Sequence, residues 1–389
     1  MNETPPLPAA APRKKKKRSK APLYPTVVIS GYYGFDNLGD ELILRVLLTH
    51  LKQRKIHCIV LSNQPHQTSI HYGVMAIART DVIEIVRALS KANLLISGGG
   101  GLFQDVTSMK SPLYYGALIH LARFLNVPVC FWGQGVGPLN KKLSQMVFRS
   151  SLLNCQSVLV RDEKSAQLTE TLSGLSPQVS ADPVWLLNLT PLLSKQTSHS
   201  TKTLKNNDPS KNFKLGVSLR PWDTLTDSAL AGLSKTVQYL TESHTVELVL
   251  LPFQPQDMGV LEQFQNRYQS CCPADSIRLV PPAEVLSTIT TCDGLIGMRF
   301  HSVVLALLLN IPVVGIAYDP KVSTLLESFS LACVSVEMLT EPAKELNAQV
   351  LEGLSAQPNA DLTLLRAKAT LNTIALDGLL NLSQEELAR

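Results

Sequence analysis

The sequence lacks an uninterrupted hydrophobic run that is long enough to cross a bilayer, and it lacks paired-cysteine motifs. Its longest apolar stretch, residues 303–318, is interrupted by Asn310 and Pro312 and falls short of the roughly 20 apolar residues that a transmembrane helix needs. The seven cysteines are scattered, with no Cys-x-x-Cys pair. This usage predicts neither a zinc site nor a disulfide framework, and it favours a reducing, cytoplasmic setting.

Positive charge in excess of negative charge is confined to the N-terminus. The chain has a formal net charge of +5, whereas residues 1–20 contain seven Lys and Arg and one Glu, so the remaining residues sum to −1. A globally basic surface for nucleic acid is therefore excluded. Residues 1–23 are predicted to form a disordered basic tail, which is solvated without a specific partner or touches anionic lipid or nucleic acid. We expect at most peripheral contact with the inner face of the membrane, and no nucleic-acid partner.

Short apolar runs alternate with amphipathic stretches along most of the chain. Strands are predicted at residues 27–30, 58–61, 94–97, 127–132 and 158–160, and again at residues 215–219, 246–251, 277–280, 294–297 and 313–317. Wholly apolar runs are typical of parallel strands that are buried on both faces, and their alternation with helices indicates βαβ units.

The predicted fold class is therefore α/β, with two Rossmann-like doubly wound domains. Residues 24–187 form the N-terminal domain and residues 214–340 the C-terminal domain, joined by a polar linker or surface loop at residues 188–213. Residues 341–389 are predicted to be C-terminal helices, with a helical pattern throughout. Two domains of this kind favour a ligand in the cleft between them.

The loop after the first predicted strand combines glycines, aromatic residues and acids. Ligands of open α/β sheets bind at loops in this position. Tyr33 and Phe35 are predicted to be exposed and to cover a sugar or a base. Asp40 and Glu41 fall in the first turn of the next helix, where carboxylates complement the helix dipole.

Glycine-rich runs follow the third and fourth predicted strands. Gly98, Gly99 and Gly100 begin a run of four glycines, whose bare N–H groups are expected to cradle an anion. A P-loop is excluded because no Gly-Lys-Ser/Thr ending follows. The run at residues 133–138 resembles a dinucleotide fingerprint only superficially, so no nicotinamide cofactor is expected.

A cation and a histidine precede the most apolar helix of the sequence. Arg299 and His301 come directly before the apolar run at residues 303–309, which packing should fix in place. The N-terminus of a helix offers free N–H groups and a positive dipole, so an unpaired Arg299 there implies an anionic ligand. His301 either serves that ligand or forms a hydrogen bond with a nearby carbonyl.

Further cations follow other predicted strands and should face the same cleft. Arg220 follows the first strand of the C-terminal domain, and Lys321 follows its last predicted strand. Arg161 follows the fifth strand of the N-terminal domain, where it either pairs with Asp162 or faces the cleft. Four permanent cations and a histidine suit a small, densely charged phosphorylated substrate.

These segments occur in the order found in the polysaccharide pyruvyltransferase family, which the sequence resembles from residue 27 to residue 326, most closely in the CsaB branch. The segments that carry the resemblance are residues 31–41, 97–105, 133–138, 161–162, 299–302 and 318–321. The resemblance implies a GT-B-like fold and transfer of pyruvate from phosphoenolpyruvate, as the donor substrate, onto two sugar hydroxyls as a ketal. It implies an N-acetylmannosamine acceptor on a lipid- or nucleotide-linked carrier, destined for cell-wall polymers that anchor surface-layer proteins. The sequence shows no metal-ligand constellation, so neither a metal nor a cofactor is expected.

The resemblance also implies roles for the candidate residues. The residues that would bind phosphoenolpyruvate are Arg161, Arg299, His301 and Lys321. The residues that would contact the nucleotide or diphosphate part of the acceptor are Phe35 and Arg220, in addition to Gly98, Gly99 and Gly100. Catalysis is expected from His301, or an acid that it orients, which protonates the methylene carbon of phosphoenolpyruvate, while Arg299 stabilises negative charge.

Two other classes of protein fit parts of the same pattern. A GT-B glycosyltransferase with a nucleotide-sugar donor would use the same cations on a diphosphate. A non-catalytic module that holds anionic glycans at the membrane would use the basic tail as its anchor. Turnover of phosphoenolpyruvate separates the predicted enzyme from both.

Overall fold

The computed structural model describes residues 25–106, 108–193, 203–204, 212–270, 276–340 and 343–380. The predicted tail at residues 1–23 and most of the predicted linker at residues 188–213 lie outside these residues. The last part of the predicted C-terminal helices, residues 381–389, lies outside them as well.

The N-terminal domain contains an eight-stranded parallel sheet in the order β3-β2-β1-β4-β6-β7-β8, with β5 paired to β6. Its strands are β1 (Thr26–Ser30), β2 (His57–Ser62), β3 (Met75–Ala78), β4 (Leu94–Ser97), β5 (Gly100–Phe103), β6 (Val129–Val136), β7 (Ser157–Val160) and β8 (Gln178–Val179). Its helices are α1 (Leu38–Gln53), α2 (Pro65–Tyr72), α3 (Val82–Leu89), α4 (Lys110–Phe124), α5 (Lys142–Leu152) and α6 (Glu163–Ser173). A short helix, α7 (Thr190–Leu193), follows the domain.

The C-terminal domain contains a six-stranded parallel sheet in the order β11-β10-β9-β12-β13-β14. Its strands are β9 (Phe213–Ser218), β10 (Val246–Leu250), β11 (Ile277–Leu279), β12 (Gly294–Gly297), β13 (Val313–Ala317) and β14 (Cys333–Ser335). Its helices are α8 (Asp227–Ser243), α9 (Met258–Gln269), α10 (Val285–Ile289), α11 (Phe300–Leu309) and α12 (Pro320–Ser328), and two further helices, α13 (Ala343–Ser355) and α14 (Thr363–Leu379), follow.

All ten predicted strands are present, and the described residues contain four further strands that were not predicted. The central strands β1 and β4 are wholly buried, which explains their uniformly apolar sequences. The strands β3, β5, β8 and β14 were missed because they have only two to four residues and, in β5, two glycines. The prediction of a helical pattern throughout the C-terminal segment is wrong, since residues 356–362 around Pro358 are not helical.

A single apolar cluster connects the two sheets. It contains Ile43 and Leu47 of α1, Leu305 of α11 and Leu251 after β10, all of them buried. Across the domain boundary, the Leu38 amide at the start of α1 donates to the Phe253 carbonyl at 2.8 Å. The N-terminus of α1 is therefore held against the C-terminal domain, and this contact places the residues of its first turn beside α11.

Helix α14 returns to the N-terminal domain, although it follows the C-terminal domain in the chain. The indole Nε1 of Trp132 in β6 donates to the Asn372 carbonyl of α14 at 2.9 Å. Near the end of α14, Asp377 contacts His50 Nε2 at 2.9 Å and Arg54 Nη2 at 2.7 Å, both from α1 or its end. The chain therefore passes between the two domains twice.

Candidate active site

A buried carboxylate, Asp182, lies where the two domains meet. Its Oδ2 is 3.2 Å from Nη1 of Arg161 in the N-terminal domain and 3.4 Å from Nε2 of His301 in the C-terminal domain. Burial by itself would raise the pKa of Asp182. The charges of His301 and Arg161 and the hydrogen bond from the Val184 amide together have the larger, opposite effect and bring the pKa down to about 2. Asp182 is therefore ionised at neutral pH and holds a cation from one domain beside an imidazole from the other.

Helix α14 fixes the backbone that carries Asp182. The buried Asn372 side chain accepts from Ser180 Oγ at 2.9 Å and donates to the Ala181 carbonyl at 2.9 Å. Asp182 itself accepts from the Val184 amide at 3.0 Å as the cap of a short 3-10 turn. Both ends of this segment are thus hydrogen-bonded, which keeps the carboxylate in place.

The side chain of Arg161 is fixed by contacts with two acids and an aromatic ring. Its guanidinium contacts Asp182 and lies 3.4 Å from Asp162 Oδ2, and the Phe300 ring lies 5.2 Å from its Cζ. A Cβ on Gly135 would fall 2.6 Å from Nε of Arg161, so the glycine at this position makes room for the guanidinium. Of the two predicted alternatives, Arg161 satisfies both, since it pairs with Asp162 and also lies at the domain boundary.

His301 lies in the first turn of α11, packed against the N-terminus of α1. A Cβ on Gly39 would be only 2.1 Å from its Nδ1, so the ring and the α1 backbone are in close contact. Its Nε2 has no well-formed hydrogen bond among the described residues, although Asp182 lies at ion-pair distance. The alternative of a hydrogen bond from His301 to a carbonyl is wrong; the group that faces it is a carboxylate.

Replacing Gly39 with Ala should displace His301. Alanine favours a helix more than glycine, so α1 itself is not weakened, but the new methyl group would overlap the imidazole. Because misplacement of a catalytic group by about 1 Å can cost roughly 10²-fold in rate, we expect turnover to fall by about that factor. Gly101→Ala is the matched control, since no atom lies within 4 Å of a Cβ there; equal turnover of both variants and wild type would contradict the assignment.

Asp40 is a second buried acid at the same boundary. It lies in the first turn of α1, and a Cβ on Gly100 would be 2.4 Å from its Oδ1. Burial raises the pKa of Asp40 to about 8, with further contributions from the charges of Glu41 and Asp182 and opposing ones from Arg161 and Arg299. Asp40 is therefore protonated at neutral pH and can donate a proton.

Glu41, beside Asp40, has a structural role instead. Its Oε1 accepts from the Gly34 amide at 2.8 Å and its Oε2 from the Tyr72 hydroxyl at 2.6 Å. These two bonds hold the loop between β1 and α1, and they leave Glu41 no free side-chain oxygen for a ligand. Adjacent acids in one helical turn thus have different functions.

The expectation that Arg299 lacks a counter-charge within the protein is wrong. Its Nε donates to Asp257 Oδ2 at 3.0 Å, and its Nη2 donates to the other oxygen of the same carboxylate. Asp257 is buried after β10 and also accepts from the Gln254 amide. Arg299 is therefore neutralised and fixed, and only its remaining N–H groups are available to a ligand.

Arg220 and Lys321 form a more open group with two aromatic rings. Nη1 of Arg220 donates to the Tyr318 hydroxyl at 2.8 Å, and its Cζ lies 4.6 Å from the Tyr318 ring and 4.9 Å from the Trp222 ring. Nζ of Lys321 is 5.8 Å from the Tyr318 ring and 3.4 Å from the partly exposed Asp319. Among the described residues, no carboxylate contacts Arg220, so this group keeps positive charge for an anion.

The aromatic residues after β1 have opposite environments. Phe35 is partly exposed and stacks on Tyr32, with ring centroids 4.1 Å apart and an angle of 5° between the rings. Arg79 lies over Phe35 at 5.0 Å. Tyr33, by contrast, is fully buried against Gly31 and Gly98, so its predicted exposure is wrong.

The predicted anion cradle at the four glycines is not bare. The Gly98 amide donates to the Ser30 carbonyl at 2.7 Å, so its N–H is not free. A Cβ on Gly98 would meet the Tyr33 hydroxyl at 2.2 Å, and one on Gly99 would meet Ile43 at 2.9 Å. Close packing explains why glycine occupies positions 98 and 99. The positive φ of Gly100 (+96°) explains the glycine at position 100.

The sequence interpretation missed the acids that organise the site. Asp182 follows the two-residue strand β8, and Asp257 follows β10 by a few residues, both at carboxyl ends of strands. Their position after strands could have marked them as candidate site residues. Each lies in a Pro-containing segment without a recognisable motif, so neither was predicted. Asp40 was interpreted only as a complement to the helix dipole.

The described residues show neither a metal-ligand cluster nor a disulfide. In the part of the chain that the structure covers, no three His, Cys, Asp or Glu side chains are grouped to hold a metal ion. The described cysteines are all free thiols. No helix in the same residues is both long and apolar enough to span a bilayer.

The architecture is that of the GT-B fold. Similar solved structures include UDP-GlcNAc 2-epimerase from Methanocaldococcus jannaschii (TM-score 0.60, 10% identity, 91% of this chain and 99% of that chain). They also include Anabaena HepE, solved with UDP and glucose (TM-score 0.57, 11% identity, 92% and 100%), and a glycosyltransferase from Rickettsia africae (TM-score 0.54, 10% identity, 93% and 100%). At these identities the similarity concerns the fold.

The family is narrower than the fold. The family model for polysaccharide pyruvyl transferase matches residues 37–320, which include Arg161, Asp182, Arg299 and His301. The chain therefore belongs to the polysaccharide pyruvyl transferase family. No curated protein sequence matches it.

Proposed function

We propose that this protein transfers the pyruvyl group of phosphoenolpyruvate to two hydroxyls of a carrier-linked sugar, forming a ketal and releasing phosphate. The observation that carries the proposal is the meeting of Arg161 and His301, one from each domain, on the buried carboxylate of Asp182. Membership of the family supports the class of reaction. The donor would be bound where the two domains face each other.

Donor binding rests on fixed cations with unused N–H groups. A guanidinium has five N–H donors, and Arg161 uses two nitrogens on its own acids, as Arg299 does. Both guanidinium groups are therefore held in fixed orientations, and the carboxylates partly offset their charge. Net positive charge for the phosphate and carboxylate of the donor would come from Arg220, which no carboxylate contacts among the described residues, whereas Lys321 beside it lies 3.4 Å from Asp319.

The reaction needs two proton donors, and the site offers two candidates. One proton goes to the methylene carbon of the donor, which leaves C2 with oxocarbenium character, and a second goes to the bridging oxygen as the C2–O bond to phosphate breaks. We assign the first to His301 and the second to Asp40. The first sugar hydroxyl adds to C2 before the phosphate leaves, and the second adds to the oxocarbenium ion that the departure of phosphate produces. The two hydroxyl protons return to these residues, so bonds and protons balance.

The acceptor is assigned to the rim of the cleft. The stacked pair of Tyr32 and Phe35, with Arg79 above Phe35, provides an aromatic surface and a cation on the N-terminal side. Arg220 with Trp222 provides the same combination on the C-terminal side. Such pairs suit a sugar ring with an attached diphosphate, and a CsaB-like enzyme would take N-acetylmannosamine on a lipid or nucleotide carrier for cell-wall polymer synthesis.

The test is incubation with labelled phosphoenolpyruvate and carrier-linked or nucleotide-linked amino sugars, with a chelator present. We expect release of phosphate coupled to a pyruvylated sugar, because no step above needs a metal. Turnover of a sugar nucleotide without consumption of phosphoenolpyruvate would instead favour a GT-B glycosyltransferase. Binding of glycan without turnover of either donor would favour a non-catalytic module.

A further inference from the structure

The outer surface of α4 and α5 exposes large apolar side chains at helical spacing. On α4, Leu113 and Phe124 are eleven residues apart, which places them on one side of the helix. On α5 and just after it, Leu143, Met146 and Leu153 share one side in the same way. Phe124 is 81% exposed and Met146 67%. An apolar stripe in this pattern normally faces a core, so its exposure marks an interaction surface.

The two stripes form one surface because the helices lie side by side. A Cβ on Gly116 of α4 would be 2.4 Å from Val147 of α5, so the glycine permits close approach. Further along, His120 Nε2 lies 3.0 Å from Ser150 Oγ. The contacts progress in the same direction along both helices, so the helices are parallel, and we call their exposed side the α4–α5 face.

The charge on the α4–α5 face has one sign. Residues 106–160 contain no Asp or Glu. The basic residues of this segment are all exposed, and they are Lys110, Arg123, Lys141, Lys142 and Arg149. Helices α4 and α5 thus carry exposed apolar side chains and only cationic charges, although the neighbouring α6 carries the exposed Glu163 and Glu170. This combination on α4 and α5 matches the two layers of an anionic membrane surface, acyl chains below and negative headgroups above.

The start of α5 is fixed in place, and both helices lie over the sheet that carries the candidate active site. The buried carboxylate of Asp105 accepts from the Asn140 and Lys141 amides at 2.8 Å and 2.7 Å, which fixes the start of α5. Helix α5 follows β6, whose Gly135 lies against Arg161. The N-terminal ends of α4 and α5 therefore point to the cleft side of the domain.

We propose that the α4–α5 face docks on an anionic lipid bilayer. A second copy of the chain is a poorer occupant, because a two-fold contact through this face would oppose cations to cations. Nucleic acid is a poorer one too, since Phe124 is the single exposed Phe, Tyr or Trp on the described helices α4 and α5 that could stack on a base, and Leu143, Met146 and Leu153 offer neither stacking nor hydrogen bonds to bases. The proposal goes beyond the proposed reaction and does not depend on it, since it concerns where the enzyme works.

The test measures co-sedimentation of the full chain with phosphatidylcholine vesicles, with and without phosphatidylglycerol. The face variant carries Leu143→Ser, Met146→Ser and Leu153→Ser. The matched control carries Ile70→Ser, Leu364→Ser and Ile374→Ser, three exposed apolar residues on other helices. The tail variant carries Lys14→Gln, Lys15→Gln, Lys16→Gln and Lys17→Gln.

We expect the wild type and the control to bind vesicles that contain phosphatidylglycerol. The face variant should bind these vesicles with an affinity that is lower by roughly tenfold or more. The tail variant should still bind the vesicles that contain phosphatidylglycerol. Its binding should persist at high salt, which screens exposed charges. Thermal unfolding checks that every variant is folded. The proposal is overturned if the wild type ignores these vesicles, if the face variant binds as the wild type does, or if light scattering shows that the face substitutions dissociate a dimer.

Discussion

Replacing His301 with Ala is expected to lower turnover by on the order of 10²–10⁴-fold, the usual contribution of general acid catalysis. The imidazole faces the ionised Asp182 and has no well-formed hydrogen bond among the described residues, so its loss removes a proton donor rather than a structural support. The measurement is phosphate release from phosphoenolpyruvate in the presence of acceptor. Thermal unfolding of the variant should remain close to that of the wild type.

His66→Ala serves as the control for the His301 variant. His66 is exposed on α2, so its removal should change neither turnover nor stability. Near wild-type turnover of His301→Ala would remove His301 from the mechanism. A loss confined to KM would reassign it to binding of the donor.

Replacing Asp40 with Asn should abolish most turnover and yet not weaken the fold. Asparagine has the shape of the protonated acid but cannot donate the proton that the departing phosphate requires, so a loss of roughly 10²–10⁴-fold is expected. In the wild type, kcat should fall as pH rises through about 8, where Asp40 becomes ionised. Asp227→Asn is the matched control, since Asp227 also lies in the first turn of a helix but is 84% exposed.

The same substitution has an effect on stability with a definite sign. The pKa of Asp40 is raised in the folded protein to about 8, whereas the unfolded chain ionises near 3.8. Between these values the folded state binds one more proton than the unfolded state, so the wild type loses stability as pH rises. Asp40→Asn should therefore become increasingly more stable than the wild type from pH 5 to pH 8, measured by denaturant unfolding. A constant difference across this range would mean that Asp40 is ionised in the fold.

The strands and the cationic loops were predictable because their signals are local. A wholly apolar run such as that of β1 or β4 has few alternatives to a buried parallel strand. Arg299 caps α11 and His301 lies in its first turn; the apolar residues of this helix must be buried, and this alone places both residues at a helix N-terminus. For such residues, a short stretch of sequence contains the physical cause of their position.

The counter-charges of the site were not predictable because their causes are distant in the chain. The backbone just before Asp182 is held by Asn372, which lies far along the chain on a helix that returns to the first domain. Asp257 pairs with Arg299 across a separation of 42 residues. Without those contacts the cations look unpaired, and the sequence interpretation overestimated the positive charge of the cleft.

The return of α14 to the N-terminal domain has a consequence for motion. One flexible connection would let the domains twist as well as bend, but the chain leaves the N-terminal domain to enter β9 and returns to it between α13 and α14. Two connections restrict the relative motion of the domains to a hinge rotation about the line that joins the connections. We expect opening of the cleft to separate His301 of the C-terminal domain from Asp182 of the N-terminal domain, and closing to bring them together again.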